Sequence, residues 1–253
     1  MEGYRYVDLS LPLQDGGGFT SPARIRYIDH QTRARHLAGK FGINLDDIQG
    51  RGNALEEFTD LNAHTGTHFD APWHCTDIVD GEKAMTVDEV PLDWCFHHGV
   101  VLDLTGKAPG DDITPAELKK AAESIAYAIK PMDIVLIRTG ISAYYAQPGC
   151  DLKNPGVNRE GTLWLSDQGI KVVGIDSPCW DRPPGMMLDE IKRGIKGKYM
   201  QGHRAAGERG MCILEWLTNL DRLPPFGFYV CAFPVKINRG SAGWVRVVAL
   251  VKE

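Results

Sequence analysis

The chain has 253 residues, with 33 acidic and 28 basic side chains and a formal net charge of -5, so it has no general attraction for a polyanion and nucleic acid is not an expected partner. A composition of 43% hydrophobic and 24% charged residues excludes disordered and fibrous classes and is enough for a sizeable core. No apolar run reaches the roughly 18 residues of a membrane span, and M-E-G-Y-R-Y-V-D is not a charged-then-apolar leader. No membrane partner is expected, and the expected location is the cytoplasm.

In chain order, Tyr6 to Leu13 reads as a strand stopped by Pro12 and the Gly16 to Gly18 loop. Arg24, Arg26, Arg33 and Arg35 are interrupted by Tyr27, Ile28 and Asp29 and read as a solvated face. Thr32 to Lys40 is weakly helical, and Asn44 to Gly52 is turn-like. Val100 to Leu104 predicts a strand. A helix follows from an N-cap at Thr114, with Pro115 at its first position and Glu117 completing a capping box, to about Ala128. Asp133 to Arg138 reads as a buried strand, Glu160 to Gly169 as a helix and Lys171 to Asp176 as another strand. Phe228 to Val235 and Val245 to Val251 are two more strands, with a glycine turn at 240–243 between them. The irregular alternation of strands and helices, without repeat or linker, predicts a mixed α/β fold with one core and a single domain over 1–253. Six cysteines without a C-x-x-C pair predict free thiols.

The densest chemistry lies in Ala63 to Cys75, A-H-T-G-T-H-F-D-A-P-W-H-C, where His64, His68 and His74 crowd around Asp70. Composition alone predicts fewer than one histidine in such a window. All four groups fall at even positions and share one face of an extended segment. A flat segment of ten residues would spread them over about 33 Å, so the chain must curl, and Gly66 and Pro72 are where it can. The reading is a bent edge segment or loop. Imidazoles with a carboxylate suit zinc or manganese, and a carboxylate can bridge two ions. Cys75 is a weaker candidate ligand, and His97 and His98 read as structural.

This run resembles the H-x-G-T-H-x-D-x-P-x-H signature of the cyclase-like metal hydrolases, the family of bacterial kynurenine formamidase and isatin hydrolase. Leu214 to Leu220 resembles the family's E-x-L-x-x-L segment, with Glu215 twelve residues after His203. The resemblance implies a swivelling β/β/α architecture with a mixed sheet, metal ligands at His64, His68, Asp70, His203 and Glu215, and Asp70 as the bridge. It further implies proton transfer by His74, one or two zinc or manganese ions, and a homo-oligomer. The implied activity is metal-dependent hydrolysis of an amide or cyclic amide in a small aromatic or cyclic substrate. A lactone hydrolase of the same family and a non-catalytic metal-binding protein of this fold are the alternatives. Phe19, Trp73 and Trp180 are candidate aromatic walls of a substrate pocket. The formamidases place a tryptophan after the opening strand, where this chain has Phe19-Thr20-Ser21-Pro22. Residues 20–60 resemble the family least and are expected to form a lid or a subunit contact. No G-x-S-x-G occurs, and Ser177 is expected to shape the pocket wall.

Overall fold

The computed structural model describes residues 3–16, 23–145, 147 and 149–253. They form two compact units, one from residues 3–12 and 63–253 and a smaller one from residues 13–16 and 23–62. Phe19 lies outside the described residues.

The chain opens with strand β1 (Tyr4–Asp8). The smaller unit contains the antiparallel pair β2 (Arg24–Ile28) and β3 (Leu55–Asp60), with helix α1 (His30–Phe41) between them in sequence. This helix starts two residues earlier than expected because the Asp29 side chain accepts the Thr32 N–H at 2.7 Å, and it ends at Gly42 with φ 64°.

The larger unit continues with β4 (His68–Asp70), helix α2 (Pro72–Cys75), the short pair β5 (Ile78–Val79) and β6 (Glu82–Lys83), then β7 (Phe96–Asp103) and β8 (Asp112–Ile113). Helix α3 (Pro115–Ser124) has the expected capping box between Thr114 and Glu117. It stops short of Ala128 because Ala126 turns left-handed, with φ 51°, and the Tyr127 N–H returns to the Ala122 carbonyl at 3.1 Å. There follow β9 (Ile134–Arg138), β10 (Gly156–Val157), α4 (Arg159–Asp167), β11 (Val172–Ile175), α5 (Pro184–Lys192), α6 (Gln201–Glu208), β12 (Cys212–Glu215), β13 (Phe226–Cys231), β14 (Ala242–Trp244) and β15 (Val248–Lys252).

Nine of these strands make one mixed sheet in the order β1-β15-β13-β7-β9-β11-β12-β4-β14. Its centre, from β7 through β9 and β11 to β12, is parallel, and the strands on both sides run antiparallel. Central parallel strands are covered on both faces and so read as unbroken apolar runs. In β9, Ile134 and Leu136 enter one core with Phe69, Leu214 and Phe228, while Val135 and Ile137 enter the other. There they meet Leu118 of α3, Leu165 of α4 and Ala206 of α6. Each fully buried side chain of this size contributes about 1.5–3 kcal/mol.

Two expectations are corrected here. The His68–Asp70 segment is not a sheet edge, because β4 is hydrogen-bonded to β12 on one side and β14 on the other. Residues 242–244 are not part of a free turn, since they form β14 and cover the outer side of β4. Both corrections have one reason: the last glycine-rich segment folds back onto the motif, a pairing between distant parts of the chain that no local pattern encodes.

Candidate metal centre

The motif curls where expected. Gly66 has φ 68°, a conformation a β-carbon would resist, and Pro72 occupies the first position of α2 behind an extended Ala71 with ψ 162°. The bend at Gly66 lets His64 turn back, β4 presents His68 and Asp70, and α2 returns His74. The imidazole of His64 lies 5.1 Å from that of His68 and 4.1 Å from that of His74, centroid to centroid.

Asp70 is the centre. It is fully buried, with Oδ1 2.8 Å from His64 Nδ1 and 3.4 Å from His68 Nε2, and Oδ2 4.0 Å from His74 Nε2 and 3.9 Å from His203 Nε2. Glu215 enters from β12, whose antiparallel register sets it opposite His68. Its Oε2 lies 3.5 Å from His68 Nε2 and its Oε1 3.3 Å from His203 Nε2. Helix α6 supplies His203 from its first turn.

The far sides of the imidazoles are tied down, so the near sides face the cluster in a defined state. His68 Nδ1 lies 2.8 Å from the Gly66 carbonyl and His203 Nδ1 lies 2.7 Å from Asp181 Oδ2, contacts in which each Nδ1–H donates and each Nε2 is the nitrogen turned toward the cluster. His64 is reversed, with Nε2 3.1 Å from Ser241 Oγ and Nδ1 turned to Asp70. Glu215 Oε1 also accepts the Trp180 backbone N–H at 2.6 Å.

The electrostatics favour a cation. Burial raises the Asp70 pKa, but the imidazoles of His68 and His74, charged in the acid range where a carboxyl titrates, and the hydrogen bond from His64 outweigh it and hold the group below the usual carboxylate range. Burial lowers His64 and His203, yet the bond to Asp70 raises His64, and the bonds to Asp181 and Glu215 raise His203 well above an ordinary histidine. For His74 burial prevails: although Asp70 pulls upward, desolvation with repulsion from His203 and His64 leaves the pKa depressed.

This donor set fits a divalent ion. His68 Nε2 and Asp70 Oδ2 are buried without a hydrogen-bond partner, which is costly unless something else satisfies them. Compatible ligand atoms occur in the groups His64-Asp70-His74 and His68-Asp70-Glu215, each with atoms within 4.8 Å of one another. Neutral imidazole nitrogens and carboxylate oxygens are donors for zinc or manganese. Cys75 adds no thiolate, because burial first, and then Asp70 and Glu215, keep its pKa far above the ordinary value.

His64, His68, Asp70, His74, His203 and Glu215 are thus brought together. Trp180 is not a pocket wall: its side chain is fully buried in the core and its indole N–H donates to Thr162 Oγ1 at 2.9 Å. What it offers the site is its backbone N–H. Trp73 is partly exposed beside His74, with Lys83 Nζ 5.3 Å from its ring centroid. Ser177 is buried and its hydroxyl donates to the Cys179 carbonyl at 2.8 Å. His98 stacks on Tyr229 at 4.4 Å, in line with a structural role. Asp181 and Ser241 were not legible in sequence. A carboxylate supporting a histidine has no fixed spacing from it, and Ser241 sat in an apparent glycine turn.

A model of the putative cyclase family matches residues 7–182, a span that contains the histidine motif and Asp181 and ends before His203 and Glu215. A kynurenine formamidase of Erythrobacter litoralis (strain HTCC2594) is 30% identical over 188 residues, 74% of this chain and 73% of that protein. The solved structure of isatin hydrolase A from Labrenzia aggregata, bound to benzyl benzoate, is 25% identical with a TM-score of 0.74, over 99% of this chain and 95% of that one. Isatin hydrolase A from Ralstonia solanacearum has the same fold at 23% identity and a TM-score of 0.78, over 98% of this chain and 92% of that one.

Proposed function

The chain belongs to the cyclase family, and on that premise we propose that it is a metal-dependent amidohydrolase. It cleaves the C–N bond of a small amide or cyclic amide, such as an N-formyl arylamine or an isatin-like lactam. The observation that carries this reading is the convergence of three histidines and Glu215 around the buried Asp70 carboxylate, whose Oδ2 is unpaired like the nearby Nε2 of His68.

His64, His68, Asp70, His203 and Glu215 would hold the one or two zinc or manganese ions. A bound ion lowers the pKa of water and polarises a carbonyl. The remaining work belongs to side chains. His68 and His203 are oriented by Gly66 and Asp181, which keep their inward nitrogens available. His74 stands at the rim, with its side chain 30% exposed, where it can reach both the cluster and a substrate. Its lowered pKa leaves it neutral near neutrality, so it takes the proton of the water that attacks the carbonyl carbon. It returns that proton to the departing nitrogen as the C–N bond breaks. Trp73 offers an aromatic surface beside it.

The whole chain works as one hydrolase domain, a reading supported by a family match that spans both compact units. Exposed Tyr27, Phe41 and Phe58 on the smaller unit support self-association, and six free cysteines fit a cytoplasmic setting.

The test is His74→Ala, assayed for bound metal and for turnover of an N-formyl arylamine and of isatin on the same preparation. Metal is retained and the rate falls roughly 10²–10⁴-fold. Metal lost in proportion to rate would make His74 a ligand, and no metal-dependent turnover in the unmodified protein would refute the activity.

A further inference from the structure

The two segments that bring ligands to the centre are joined by a side chain outside the ligand set. Thr67, buried in the bend before β4, donates its hydroxyl hydrogen to the Trp216 carbonyl at 2.6 Å and accepts the Leu11 N–H at 2.9 Å. Trp216 directly follows Glu215 and has φ 55°. In that left-handed region a β-carbon crowds the neighbouring carbonyl, so a large residue stays there only when its surroundings hold it.

Its surroundings do so at several points. The Trp216 N–H donates to the Ser177 carbonyl at 2.9 Å, which fixes the peptide between Glu215 and Trp216. The next peptide is held on both sides, its carbonyl by the Thr67 hydroxyl at the shorter distance and its Leu217 N–H by the Ile175 carbonyl at 3.1 Å. The Trp216 side chain packs in a cluster with Leu11, Cys150 and Tyr145. Glu215 therefore ends β12 against a locked turn, which sets the direction of a carboxylate facing His68 at 3.5 Å and His203 at 3.3 Å.

We propose that Thr67 is a positioning residue for metal binding: by clamping the left-handed Trp216, its hydroxyl aims Glu215 into the centre. The proposal rests on the reading of Glu215 as a ligand. A threonine is suited to the role because one hydroxyl serves as donor and acceptor at once, which neither valine nor alanine can do.

The experiment titrates Co²⁺ into the metal-stripped full chain and records affinity, the visible d–d spectrum and the melting temperature of the stripped protein. The forms compared are wild type, Thr67→Val, Thr67→Ser and Glu215→Ala. Thr67→Val is expected to bind Co²⁺ roughly 10–100-fold more weakly, the range for a group supporting a ligand, with a changed spectrum. Thr67→Ser keeps both near wild type, and Glu215→Ala weakens binding strongly. If Thr67→Val does not fold, Thr67→Ala is read by the same criteria. A valine variant that melts lower yet keeps wild-type affinity and spectrum overturns the proposal, because the hydroxyl would then be only structural. So does a serine variant as impaired as the valine one. Wild-type affinity in Glu215→Ala would instead remove the ligand reading beneath it.

Discussion

Replacing Asp181 with asparagine perturbs the centre without removing a candidate ligand. The buried carboxylate accepts the Gly202 N–H on Oδ1 at 2.7 Å, and on Oδ2 the His203 N–H at 2.8 Å and His203 Nδ1 at 2.7 Å. Asparagine is nearly the same size but has one acceptor oxygen and a donor in place of the other. Whichever way it is placed, its amide group meets at least one backbone N–H donor to donor. The best arrangement keeps both His203 bonds, now to a neutral oxygen, and loses the one to Gly202. A hydrogen bond to a charged group contributes about 1.5–3 kcal/mol and a neutral one about 0.5–1.5 kcal/mol, so weakening two bonds by about 1–1.5 kcal/mol each and losing the third costs about 3.5–6 kcal/mol. At about 2–4 °C per kcal/mol for a chain of this size, the metal-free protein should melt about 7–24 °C lower. Calorimetry in excess chelator measures this without the stabilisation a bound ion adds. Competition with the chelator should show metal affinity down roughly 10–100-fold, because His203 loses the carboxylate that orients it. An unchanged melting temperature together with unchanged metal affinity would refute the claim that Asp181 holds His203 and the first turn of α6.

Two further substitutions separate structural from catalytic roles. Ser177→Ala removes only the bond to the Cys179 carbonyl, about 1 kcal/mol, so melting should drop by about 2–4 °C with metal content and turnover retained; complete loss of rate in a metal-loaded variant would restore Ser177 as a nucleophile. Trp180→Phe keeps the backbone N–H that Glu215 accepts and deletes the indole bond to Thr162. It should lower the melting temperature and leave KM unchanged, and the opposite pattern would return Trp180 to the substrate pocket.

Local chemistry was legible in the sequence wherever the physics is local. Gly66 and Pro72 announced a bend, and the bend is there. Thr114, Pro115 and Glu117 announced a helix start, because a capping box closes within four residues. The apolar run in β9 announced a buried strand, and the strand is there with both faces covered. The crowding of His64, His68, Asp70 and His74 announced a polar centre, although His203 and Glu215 came from family resemblance and not from spacing. The tertiary structure alone decided which strand lies beside which. It set Glu215 opposite His68 and laid β14 along β4 with Ser241 near His64. It also put Asp181 behind His203, and turned the Trp180 indole into the core while its N–H faced Glu215. Strand order and register follow from the simultaneous burial of two core faces, and that balance is struck among residues far apart in the chain. No window of sequence short enough to show a period contains it.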